Sequence, residues 1–245
     1  SVKERVEFGE NNEEKYSLKE MLQFLRYKPI WAAFAATLIV GTGSSIAGGA
    51  GAYFYTYVLG DMKLMSGVSI IGLIASLVGI VMGPYLANRF GKKKVYLTAV
   101  IISTALNLLR LLDVTSMILI YISALIGGVA GGWMVPVSTS IQADNTTYVQ
   151  YKTGKRAEAA IASLTSFVSK VAQGLGGAIP GYVIAAYGFV TGASVQPESI
   201  NTGIILCALI LPLIFGILGS LIFGTQYTLD QKAVIEMDAK INRNN

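Results

Sequence analysis

Residues 143–173 read A-D-N-T-T-Y-V-Q-Y-K-T-G-K-R-A-E-A-A-I-A-S-L-T-S-F-V-S-K-V-A-Q. A charged, tyrosine-rich loop runs without a break into an apolar segment that carries one lysine, Lys170, near its middle. A charged side chain at bilayer depth costs about 2.5 kcal/mol or more, so such a residue faces a cavity or a partner and tends to mark a pathway. Ser163, Ser166, Gln173 and Gly177 stand at helical spacing from Lys170 and share one face with it. A polar stripe on a membrane helix points inward.

The rest of the chain agrees that the solvent is lipid. Hydrophobic residues make up 53% and charged residues only 13%, with a mean hydropathy of +0.58, too few charges to coat a water-exposed globule of this size. Six apolar spans can be drawn, Ile30–Leu59, Met65–Ala87, Val95–Leu112, Met117–Ile141, Ala157–Tyr187 and Ile204–Phe223. Each approaches or exceeds the ~20 residues that a spanning helix needs. The formal net charge of +5 suggests nucleic acid only until the basic residues are located. Every Lys and Arg except Lys63, Arg110 and Lys170 falls on one side of the alternating loops, which places both termini in the cytoplasm of a multi-pass inner-membrane protein. The fold expected is all-α, with residues 1–27 a cytoplasmic linker, 28–224 a six-helix transmembrane bundle and 225–245 a cytoplasmic tail. Ser17 followed by Glu20 forms a capping box opening a short amphipathic helix in the linker. The chain begins with Ser and not Met, and a preceding segment is expected.

Within the spans, Gly41, Ser44, Gly48 and Gly51 recur at helical spacing, a pattern for close helix packing or for letting a substrate approach the backbone. Tyr53 belongs to an aromatic cluster at the outer end of the first span, where a belt at the interface is the ordinary reading and stacking on a sugar ring the functional one. Trp133 lies too deep for a belt residue, and its indole offers an apolar face and one N–H donor, which suits a pyranose. The last span is apolar on every face and is expected to meet lipid, and the outer loop before it is expected to lack structure. No histidine is present, and the single cysteine, Cys207, sits in an apolar run, which removes His triads, disulfide frameworks and Cys-based metal sites.

The pattern A-D-x-x-x-Y-x-x-Y-K-T-G-x-R-x-E, followed by F-x-x-K at Phe167 and Lys170, resembles the glycoside-pentoside-hexuronide:cation symporters, sugar transporters of the major facilitator superfamily. The resemblance continues through F-Y-T-Y-V-L-G-D at 54–61, F-G-K-K-K at 90–94 and Y-T-L-D-Q-K in the tail, and it departs at Thr147 and Gln150, where that family has acids. The segment around Arg89, Gly91 and Lys92 is similar to the superfamily's signature loop. The resemblance implies that this chain is the C-terminal half of a 12-helix fold, with an N-terminal six-helix half as partner and the central loop at 1–27. It further implies a cytoplasmic gate involving Arg89, Lys92, Asp144, Arg156 and Glu158, and a Lys170 near the cation and sugar sites.

No phosphate-cradling loop, H-E-x-x-H or nucleophile elbow is present, so no enzyme chemistry is indicated. The function expected is secondary transport of a sugar or glycoside coupled to Na+ or H+ by alternating access. No cofactor is expected beyond that cation, which the other half would mainly bind, and neither metal nor nucleic acid. Ser166, Lys170, Gln173, Trp133 and Tyr53 are the candidate coupling and substrate residues. Two other readings are a lysolipid symporter and a membrane scaffold that transports nothing.

Overall fold

At bilayer depth the backbone has no water to bond with, so a chain of this composition must satisfy its amides within helices. The computed structural model describes residues 18–155, 157–193 and 195–244, which form helices joined by short connections with no strand among them. After the short helix α1 (Leu18–Gln23) come α2 (Lys28–Tyr53), which runs on as a wide π-helical turn over Phe54–Val58, α3 (Lys63–Phe90) and α4 (Lys92–Arg110). Then follow α5 (Met117–Thr153), α6 (Glu158–Ala186), α7 (Ser199–Ile205), α8 (Leu211–Gln226) and α9 (Gln231–Asn244). A second π-helical turn, Leu206–Ile210, joins α7 to α8 just before Pro212, whose missing N–H removes one rung of the ladder. The capping box expected at Ser17 lies outside the described residues.

All six expected spans are helices, and the chain is an all-α membrane protein. Four are long and apolar enough to cross a bilayer: Lys28–Val58, Lys63–Phe90, Met117–Thr153 and Ser199–Gln226. The other two are more polar. α4 opens on three lysines, and α6 carries the Lys170 face.

One boundary differs from the sequence reading. The tyrosine-rich stretch after Ala143 is not a loop: α5 continues to Thr153 and stops at Gly154, whose φ of 72° is the left-handed conformation that ends a helix cheaply only at glycine. The extension stays helical because one face is covered. Val149 is fully buried in a cluster with Phe24, Ile30, Phe34 and Ile161, which ties the starts of α2 and α6 to this end of α5.

Small residues set the helix spacing. α3 and α5 run parallel and so close that a Cβ on Gly79 would overlap the carbonyl of Val129, and one on Gly132 the carbonyl of Ser76. α2 meets α6 through Gly41, Ser45 and Gly49 against Ala172, Gly176 and Pro180. The packing stripe on α2 is therefore turned from the one expected, since a Cβ on Gly48 would meet nothing within 4 Å. α8 does not simply face lipid either. Its Gly216 packs on Thr104 and its Gly219 on Val40, while Ile217 and Leu221 on its other side are exposed. The outer loop, expected to lack structure, has a bonded frame among its described residues: Gln196 accepts from the Val190 N–H at 3.0 Å and donates to the Val190 carbonyl at 2.7 Å. The tail docks too: Val234 and Met237 of α9 pack on the cluster that α5 shares with α4 and α8.

Candidate functional site

The turn between α3 and α4 is made by Gly91, at φ 86°, and delivers Lys92 to the first position of α4. From there the Lys92 ammonium donates to Asp144 Oδ1 at 2.6 Å and reaches the Ser140 carbonyl at 3.5 Å. Asp144 is only 7% exposed, so a charge-assisted bond there is shielded from water competition. Lys93 donates to the Tyr227 carbonyl at 2.6 Å, and the Tyr227 ring stacks 4.5 Å from Phe223, which in turn lies 4.3 Å from Tyr96. Burial pushes the Tyr227 phenol well above its ordinary value, with the Asp144 charge adding to the effect, so it stays neutral. This end of the bundle is thus knotted by two lysines, one acid and an aromatic stack.

Of the five residues expected at a gate, Lys92 and Asp144 are brought together. Arg89 is exposed, hydrogen-bonds the Tyr85 hydroxyl at 3.1 Å and lies over the Phe90 ring. Glu158 is exposed in the first turn of α6 and forms no ion pair among the described residues. Arg156 lies outside the described residues.

Next to Asp144, Asn145 turns into the bundle. It is 3% exposed, and its Oδ1 has no hydrogen-bond partner. It lines a cavity of about 300 Å³ between α2, α5 and α6, together with Thr37, Ser44, Ser138, Gln142 and Ser169. That volume is at the lower end of what small-molecule sites occupy, and hydroxyls and amides in an otherwise apolar wall are the groups that orient a polyol. Ser138, Gln142 and Asn145 form a stripe at helical spacing on α5. The spacing is legible in the sequence, but Gln142 and Asn145 fall past the end of the apolar span at Ile141, among charged residues.

α6 presents two polar rows. Thr165 and Ser169 face the cavity, while Ser163, Ser166, Lys170, Gln173 and Gly177 share one face, as their spacing implied, and that face is exposed and not turned into this bundle. Lys170 is the twelfth residue after Glu158, about 18 Å along the helix. It has no ion-pair partner among the described residues. The opposite side of α6 is buried through Ile161, Leu164, Ala172, Gly176 and Pro180.

The two aromatic candidates stand apart from this cavity. Trp133 has its backbone against Gly79 and Gly83 and packs on the cluster containing Ala87 and Val137, with its Nε1 buried and unpartnered. Tyr53 stacks on Tyr57 with ring centroids 6.4 Å apart and meets Phe189 edge-on at 5.6 Å, near the other end of the bundle. Among the described residues no group of three His, Cys, Asp or Glu side chains could hold a metal ion.

The family described as MFS/sugar transport protein matches residues 1–231. An uncharacterized symporter of Bacillus subtilis, YjmB, is 30% identical over 244 residues, covering 97% of this chain and 52% of its own length. A glucuronide carrier protein homolog of Escherichia coli is 29% identical over 231 residues, covering 91% of this chain and 50% of its own. An isoprimeverose transporter of Lactiplantibacillus pentosus is 28% identical over 154 residues, covering 61% and 31%. The chain spans about half the length of the first two of these relatives.

Proposed function

The chain belongs to the MFS/sugar transport protein family, and we propose that it forms the C-terminal six-helix half of a symporter that moves a sugar or glycoside together with Na+ or H+. The observation that carries this reading is the cavity beside Asn145, whose unpartnered Oδ1 is an acceptor waiting for a hydroxyl donor. An unmet buried acceptor costs about 1–3 kcal/mol, which a bound polyol would recover. Two similar proteins are named for a glucuronide and for isoprimeverose, and a third is named a symporter, which supports this class of cargo and this mode of transport.

In the proposed mechanism the N-terminal half covers the exposed face of α6. Ser166 and Gln173 flank Lys170 there and help to bind substrate, and carboxylates of the other half hold the coupling cation. A lysine brought close to those acids competes with the cation, so its position links ion occupancy to which side is open. The Lys92–Asp144 pair closes within this half, so its part in gating is to hold the α3–α4 turn on α5 on the cytoplasmic side. In this proposal both termini lie on the cytoplasmic side of the inner membrane, as the bias of Lys and Arg among the loops supports. Labelling of single engineered cysteines in intact cells, in a Cys207-free background, should therefore modify positions 190–198 from outside and spare 148–156. The reverse pattern would turn the protein over.

The full-length protein in liposomes tests the transport reading. Neutral glycosides and hexuronides should accumulate under an imposed Na+ or H+ gradient, and residues 1–245 alone should concentrate none of them, because alternating access needs one bundle rocking against another. Uptake of lysolipid without sugar, or of no solute at all, sinks the proposal.

A further inference from the structure

Arg110, the last residue of α4, is at the end of the bundle opposite Lys92. Its guanidinium carbon sits 5.0 Å from the centre of the Phe54 ring, and its Nε is buried with no hydrogen-bond partner. It makes no ion pair among the described residues. The acid nearest in sequence, Asp113, is turned to Thr115, accepting from its N–H at 3.1 Å and its hydroxyl at 2.9 Å. The contrast with Lys92, which the fold supplies with Asp144, is direct.

A half-buried cation without a counter-ion is costly unless something completes it. Beside Arg110 lies a cavity of about 230 Å³, lined also by Tyr55, Ser103, Asn107 and Ser123. Its polar groups are one permanent cation plus hydroxyls and an amide that can all donate, and no carboxylate lines it. Such a set rejects cations and favours an oxyanion held by the guanidinium fork, the geometry that arginine offers and lysine does not. The volume falls below the ~300 Å³ at which sites for whole small molecules begin, so the occupant is a small anion or an anionic head group and not an entire sugar. Ser103 and Asn107 also line a neighbouring cavity of about 280 Å³ that includes Ser44, and Ser44 lines the cavity beside Asn145. These shared lining residues set the three cavities side by side.

We propose that Arg110, with Tyr55, Asn107 and Ser123, forms a binding site for a carboxylate, sulfonate or phosphate group, supplied either by a soluble anion or by a lipid head group. The proposal does not depend on which sugar the protein carries, or on whether it carries one.

Equilibrium binding of radiolabelled methanesulfonate to the full-length protein in neutral detergent, at fixed ionic strength, tests it. Wild type should bind saturably, with acetate competing, and R110Q should bind about ten- to a hundredfold more weakly, as expected for loss of a charge-assisted bond. R110K should fall between them. N107L, which replaces the amide by an apolar group of nearly the same shape and keeps the charge, should also weaken binding, and it carries the test alone if R110Q does not fold. Repetition in nanodiscs separates the sources. Competition by phosphatidylglycerol but not phosphatidylcholine assigns the site to a lipid head group, and equal binding in both assigns it to a soluble anion. Absence of saturable binding to wild type, or wild-type binding by both R110Q and N107L, overturns the proposal.

Discussion

The seam between α3 and α5 and the Lys170 face of α6 are opposites. In the seam, glycines bring backbone onto backbone, with Gly79 and Gly132 each lying against a facing carbonyl and no room for one added carbon. On α6, five small or polar residues in register are exposed, covering nothing among the described residues, and the one cation among them has no ion-pair partner there. Close packing without voids contributes to the stability of a helix bundle in lipid, where hydrophobic burial between helices gives little. A row of polar groups left unused by the fold contributes to whatever that face meets. The difference sorts residues into those that hold these helices together and those that the packing leaves uncovered, the face on which the proposed function seats a partner bundle.

Substitutions break or sharpen that contrast on the scale of thermal unfolding in detergent. Gly132→Val should have the largest effect, about 3 kcal/mol or more, because its side chain collides with a backbone that cannot yield. An unchanged unfolding midpoint would show the seam to be looser than described. Asp144→Asn should cost about 1–3 kcal/mol by leaving Lys92 half-buried against a neutral amide, and the exchanged pair Lys92→Asp with Asp144→Lys should recover part of it. A midpoint that does not move would mean that Lys92 is content in water.

Lys170→Ala should shift unfolding by less than about 1 kcal/mol, since the side chain is exposed among the described residues. Ion-driven sugar accumulation by the full-length protein should nevertheless be lost, and Lys170→Arg should not restore it. Accumulation with unchanged ion dependence in the alanine variant would make the lysine structural. Gly48→Ala should have the smallest effect, within about 0.5 kcal/mol, because its added carbon meets open space. A large loss there would mean that Gly48 has a packing partner beyond the described residues, which would move the proposed contact surface onto α2.

Local pattern by itself determined the helical class, the six spans and the grouping of Ser163, Ser166, Lys170 and Gln173 on one face, because hydropathy and a 3.6-residue period are properties of a single helix. The F-G-K-K-K and A-D segments were also legible, though as separate motifs. That Lys92 and Asp144, 52 residues apart, meet at 2.6 Å was decided only by the packing of α4 on α5. Tertiary structure likewise decided that residues 143–153 stay helical, since Val149 finds its cover on α2 and α6, and that Ser45 and Gly49 rather than Gly48 lie in the α2 seam. It placed Asn145 with Ser44 and Ser169 around one cavity, and it moved Trp133 out of that cavity and into a contact with α3. The physical reason is common to all of these. A period tells which residues share a face, but a face acquires its role from the element laid against it, and that is fixed by where small residues on distant segments let two backbones touch.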